Sequence, residues 1–111
     1  MLYKTDDCFK CKCCDTLPEN GMDQNLIDIL NEAGITADEV NCGYRCVKHN
    51  AEVGGEENSQ HLLGTAADID ANNVEELAQK FESLLADGVG RYDNFVHVDT
   101  RSGRIGDDYR W

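Results

Sequence analysis

Three histidines occur in the 111-residue chain, and two of them stand in patterns that could bind a metal. His61 and Asp68 close the stretch "SQHLLGTAAD", where Gly64 lets the chain turn between them. His97 lies in "FVHVDT", an alternating run that puts its side chain on one face with Phe95 and Asp99. Imidazole nitrogen and carboxylate oxygen are zinc ligands, and three of them suffice for a catalytic site that keeps a further position open. The His61 and Asp68 pair alone is weak evidence, because a histidine is more often a hydrogen-bonded core or surface residue than a ligand. Covalent catalysis by cysteine is disfavoured, since no cysteine adjoins a histidine in these motifs and His49 reads as part of a binding loop.

These residues must be held by a scaffold, and its elements are marked locally. From Asp23 onward, Leu26, Ile27, Leu30 and Ala33 recur with helical spacing, and Gly34 is a plausible stop. A second stripe, Val74, Leu77, Ala78, Phe81, Leu84 and Leu85, predicts another helix, with Asn73 and Glu76 placed as a capping box and Gly88 as a left-handed terminator. The runs around Ala66 to Asp70 and "FVHVDT" read as strands. "RSGRIG" then predicts a tight turn and return strand, pairing His97 to Thr100 with Arg104 to Gly106 in an antiparallel hairpin. The expected fold is α+β, a small antiparallel sheet carrying the site and flanked by two main helices. It forms a single domain over residues 1–111, with an irregular cysteine-rich segment at 1–21.

Composition narrows the function. Hydrophobic residues make up 41% and charged residues 29% of the chain, which suits one folded domain and not a disordered segment. A net charge of -12 repels phosphate backbones, so nucleic acid is a poor candidate partner; "KCK" around Lys10 and Lys12 is flanked by acids. No apolar run is long enough for a membrane helix, and the start "MLYKTDDCFK" lacks the hydrophobic stretch of a signal peptide. The six cysteines, Cys8, Cys11, Cys13, Cys14, Cys42 and Cys46, leave three alternatives open. They could form disulfides, a thiolate zinc site or free buried thiols, though their spacing is not that of a usual zinc ribbon.

The segments "GYRCVKHNAEVGG", "NSQHLLGTAADID", "GVGRY", "FVHVDTRSGR" and the terminal "RW" occur in one order at close spacing. Together they resemble the zinc D-alanyl-D-alanine carboxypeptidase family, a branch of the LAS metallopeptidases that includes phage endolysins. The likeness runs from about Phe9 to Trp111. It implies a hedgehog/DD-peptidase-like fold, one zinc ion bound by His61, Asp68 and His97, and a peptidoglycan stem peptide as substrate. It also implies that Arg45 of the "GYR" segment and Ser59 contact that substrate, and that "FKCKCC" and "YRC" are linked through their cysteines.

Several relatives carry a catalytic carboxylate three positions before the last histidine, where this chain has Asn94. Asp99 is then the better-placed base, with Asp93 as runner-up, or else Asp99 orients His97 from behind. The resulting reading is a monomeric zinc metallopeptidase of the cell wall, acting as a D-Ala-D-Ala carboxypeptidase or an L-Ala-D-Glu-type endopeptidase. Phage release or a separate export route would bring it there. The alternatives are a catalytically inactive zinc-containing peptidoglycan-binding module, which Asn94 favours, and a cysteine-cluster interaction domain.

Overall fold

A computed structural model of the chain describes residues 1–56, 59–103, 105–106 and 108–111. The first helix, α1 (Gln24–Glu32), begins where the Asp23 carboxylate accepts the Leu26 N–H, and it ends just before Gly34, whose φ of 77° is left-handed. A short helix, α2 (Val47–Glu52), follows the "GYRC" segment. The third, α3 (Val74–Ser83), starts as its sequence predicts, with Asn73 Oδ1 accepting the Glu76 N–H at 3.1 Å. Its end differs from the expectation. Leu85, at φ 66°, makes the left-handed turn after α3, and Gly88 instead opens a strand.

Five strands form one sheet: β1 (Val40–Cys42), β2 (Ala66–Asp70), β3 (Gly88–Arg91), β4 (Phe95–Asp99) and β5 (Tyr109–Arg110), in the order β1-β2-β4-β3-β5. Pairing is antiparallel except between β3 and β5, which run parallel, so the sheet is mixed where an antiparallel one was expected. The α+β class holds.

The hairpin expected after β4 does not form. Both edges of β4 are already occupied, by β2 on one side and β3 on the other, so no backbone groups remain for a return strand. Of that proposed strand, Arg104 lies outside the described residues. The Ile105 and Gly106 N–H groups donate to Asp87 Oδ1 at 3.1 and 3.0 Å, and Ser102 N–H donates to Asp87 Oδ2. The buried Asp87 carboxylate thus gathers this segment into a turn, and the chain continues to β5 on the far side of β3.

Strand alternation gives the sheet two unlike faces. Ala67, Ile69, Val89, Val96 and Val98 are fully buried in one core with Leu26, Ile29, Leu30 and Phe81 from α1 and α3. Apolar burial at about 25 cal/mol per Å2 is the main force holding the helices to that face. The other face carries Asp68, His97 and Asp99. Register sets Asp68 opposite His97, and Ala66 and Gly88 on either side of Asp99.

Candidate metal centre

His61 is delivered by a 3-10 turn, Gln60–Leu63, whose first N–H groups are capped by Ser59: the His61 N–H donates to Ser59 Oγ at 3.2 Å. Gly64 ends the turn at φ 73°, with Pro18 packed where a side chain would stand. The Arg45 N–H donates to the His61 carbonyl, which ties this turn to the segment after β1.

The tautomers of both histidines follow from their outer partners. Nδ1 of His61 lies 2.6 Å from the Gly43 carbonyl, which can only accept, so Nδ1 carries a proton and Nε2 keeps the lone pair. Nε2 of His97 lies 2.7 Å from Asp99 Oδ2. Asp99 is fully buried and doubly bonded by Arg101, at 2.9 Å from Nε and 2.6 Å from Nη2, so it is a carboxylate and accepts. The lone pair of His97 is therefore on Nδ1. Those two nitrogens face the same atom: Asp68 Oδ1 lies 3.3 Å from His61 Nε2 and 3.1 Å from His97 Nδ1.

Three acceptors turned toward one point repel unless positive charge lies among them, as protons or as a cation. The proton case raises both histidines. Burial disfavours each imidazolium, but hydrogen bonds to Asp68, assisted by Cys42 for His61 and by Asp99 for His97, outweigh it. Burial likewise pushes Asp68 up, and the two imidazoles overcome it to hold the carboxyl well below the usual range. The cation case fits the spacing. A tetrahedral zinc site with bonds of about 2.0–2.2 Å has ligand separations of roughly 3.3–3.6 Å, close to the two separations found here. Nitrogen, nitrogen and carboxylate oxygen are also the donor set that zinc prefers.

Cys42 also approaches this group, with its Sγ 3.9 Å from His61 Nδ1 and the donor atoms of Cys42, His61 and Asp68 within 4.8 Å of one another. Because Nδ1 is committed to Gly43, Cys42 stands behind the ring and not at the lone pair.

The site forms the floor of a cleft of about 650 Å3. Arg45 and Ser59 both line it, and Arg45 Nη2 donates to Ser59 Oγ at 3.2 Å. Arg45 Nε is buried without a hydrogen-bond partner among the described residues. The remaining candidates lie elsewhere. Asp99 is beneath His97 and does not line the cleft, and neither does Asp93, which is exposed in the turn between β3 and β4. Asn94 borders a separate depression with Asp70 and Lys80.

Sequence reasoning missed four contributors. Glu56 is the other carboxylate lining the cleft besides Asp68, among the described residues. Arg101 fixes Asp99 and stacks on Tyr109, with its guanidinium 4.5 Å from the ring centroid. Trp111 packs against His97 with centroids 4.9 Å apart and donates from Nε1 to the Tyr92 hydroxyl. The Gly43 carbonyl sets the His61 tautomer. "RSGR" and "RW" stood out as motifs, but nothing local indicated that they would fold back to the site.

The bridge expected between the cysteine groups is absent: all six cysteines are free thiols. Cys11 Sγ and Cys46 Sγ nevertheless lie 3.6 Å apart.

The chain matches the model of the family described as peptidase M15 over residues 10–99, a span containing His61, Asp68 and His97. It is 38% identical over 73 residues to a zinc D-Ala-D-Ala carboxypeptidase of Streptomyces albus G. That alignment covers 60% of this chain and 29% of the relative, so the chain spans less than a third of the curated protein it matches.

Proposed function

The chain belongs to the peptidase M15 family, and from that premise we propose that it is a zinc metallopeptidase hydrolysing the peptide stem of peptidoglycan. The observation that carries this reading is the convergence of His61 Nε2 and His97 Nδ1 on Asp68 Oδ1 at the floor of an open cleft. These three residues would hold the ion. When bound, zinc supplies Lewis acidity toward a carbonyl and makes water acidic enough to ionise near neutral pH.

The protein's own groups complete the site. Arg45 brings a fixed positive charge to the cleft wall, steadied by Ser59 and with Nε unpartnered, which suits an oxygen anion of the substrate. The relative's name, a D-Ala-D-Ala carboxypeptidase, supports a substrate carboxylate as that anion. Of the two roles open to Asp99, burial and its bonds to His97 and Arg101 support the orienting one, in which it fixes the ring and makes it a better donor. Glu56, on the cleft wall, is the carboxylate from which proton transfer to a leaving amine can operate.

The reading of an inactive binding module rested on Asn94. That residue borders a different depression, which weakens the ground for that reading. The deciding experiment is mass spectrometry of purified muropeptides after incubation with zinc-loaded protein. Loss of a terminal D-alanine identifies a carboxypeptidase, and internal cleavage of the stem identifies an endopeptidase. Intact muropeptides beside stoichiometric zinc would leave the binding module as the correct reading.

A further inference from the structure

None of Cys11, Cys14 and Cys46 lines the cleft, yet their side chains, all of a type that ligates metals, meet one another. We propose that Cys11, Cys14 and Cys46 hold a structural zinc ion that clamps the cysteine-rich N-terminal segment to the start of α2.

Sulfur geometry comes first. The Sγ atoms of Cys11, Cys14 and Cys46 all lie within 4.8 Å of one another, and the Cys11 to Cys46 separation is 3.6 Å. A disulfide requires about 2.05 Å, whereas thiolates on a tetrahedral zinc with bonds of about 2.3 Å stand roughly 3.8 Å apart. The sulfurs are spaced as ligands of one ion.

Backbone donors surround the same sulfurs. The Cys46 N–H points at Cys11 Sγ at 3.4 Å. Cys46 Sγ in turn accepts the His49 N–H at 3.4 Å. N–H groups directed at sulfur stabilise thiolates and form the outer shell that holds metal-bound ones in place. The loop that presents Cys11 and Cys14 is closed on itself, with Cys11 N–H donating to Thr16 and Asp15 N–H donating back to Cys11.

The spacing becomes readable once the partners are known. Grouping Cys42 with Cys46 hides the pattern, because Cys42 belongs beside His61. Cys11-x2-Cys14 has the short ligand spacing of structural zinc sites, and Cys46 brings the third sulfur from the other segment. His49 stands in a separate group, its ring nitrogen within 4.8 Å of Cys13 Sγ and the Glu52 carboxylate. A packing role does not account for the cluster: Cys14 is exposed and Cys46 half-buried, so neither thiol fills a core position.

The clamp would also serve the cleft. Gly43, whose carbonyl orients His61, packs against the Phe9 backbone, and Arg45 immediately precedes Cys46. Fixing Cys46 to the loop of Cys11 therefore fixes the segment that carries both.

The test uses full-length protein purified under reducing conditions, with elemental analysis and cobalt(II) titration. The expected result is two zinc ions per chain, one of which survives in the His61→Ala/His97→Ala variant. That variant should bind cobalt(II) with thiolate-to-metal charge-transfer absorption. Cys11→Ser and Cys46→Ser should each abolish the absorption. If those variants fail to fold, the histidine double variant still decides the matter because its cysteines are intact. No metal in that variant, or a Cys11–Cys46 disulfide in metal-replete wild type, overturns the proposal. Loss of the cleft zinc alone would count against the peptidase reading and leave the clamp standing.

Discussion

Asp99 accepts from Nε2 of His97 at 2.7 Å, and through that bond it decides which nitrogen of His97 faces Asp68. The carboxylate sits behind the ring, fully buried and bound by Arg101, and does not line the cleft where a substrate would bind. Asp99→Asn should accordingly lower zinc affinity by about 10- to 100-fold, the usual effect of removing an outer partner of a ligating histidine. Activity should return with excess zinc. Competition with a chromophoric chelator measures the affinity, and a variant that keeps its zinc yet loses turnover would make Asp99 the base.

Glu56→Gln separates the two carboxylates by function. If Glu56 moves the proton, this variant keeps its zinc and loses about 10²- to 10⁴-fold in kcat. Full activity in the variant would remove Glu56 from the mechanism.

Arg45→Ala should act mainly on KM. Losing a charged hydrogen bond of about 1.5–3 kcal/mol corresponds to roughly 10- to 100-fold in kcat/KM. Zinc content should not change. A substrate amidated at its C-terminus should lose the same factor with wild type and nothing further with the variant, which checks that the partner is a carboxylate.

The metal-free and zinc-loaded forms should respond to pH with opposite signs. His61 and His97 have pKa values raised above 6.5 in the fold by their bonds to Asp68, which outweigh burial. Their contribution to stability is therefore complete below about pH 6.5 and fades as pH rises through the raised values. Asp68, lowered in the fold, contributes above its ordinary value of 3.8 and loses that contribution as acid protonates it. Zinc competes with the same imidazole protons, so its stabilisation grows as pH rises. Thermal melts with and without zinc across this range test both slopes, and a zinc-induced shift that is independent of pH would contradict the assigned ligands.

Gly88→Ala should disturb the site without touching a ligand. A Cβ at Gly88 would fall on the Asp99 carboxylate, so Asp99 must move off His97 or the strand must shift. Overpacking of this kind costs about 1–3 kcal/mol. Denaturant unfolding should show the loss in stability, accompanied by weaker zinc binding. Gly34→Ala, whose added Cβ meets nothing within 4 Å, serves as the control that strains only a left-handed turn.

Some of this protein was decided by the order of its residues alone. The stripes from Leu26 and Val74, with Asp23 and Asn73 before them, specify α1 and α3 because helix periodicity and capping act within a few residues. The alternation in "FVHVD" likewise sends Val96 and Val98 to the core and His97 and Asp99 to the other face, whatever the neighbours are. His61, Asp68 and His97 were singled out as candidate ligands by the resemblance of their motifs to a zinc peptidase family, since the local pattern of His61 and Asp68 alone is weak evidence.

What the sequence left open depends on groups far apart in the chain. The position after β4 reads as a hairpin locally, yet β3 takes that edge and Asp87 gathers Ser102, Ile105 and Gly106 into a turn. Gly88 reads as a helix terminator because its true neighbour, Asp99, arrives through strand pairing. The surroundings that bear on whether Asp99 serves as base or orienter, its bond from Arg101 and the burial of its carboxylate, come from tertiary packing and are not visible in the sequence. The cysteines were ambiguous for the same reason. Their spacing allows several pairings, and only the packing of Gly43 on Phe9 brings Cys46 to Cys11 while sending Cys42 to His61.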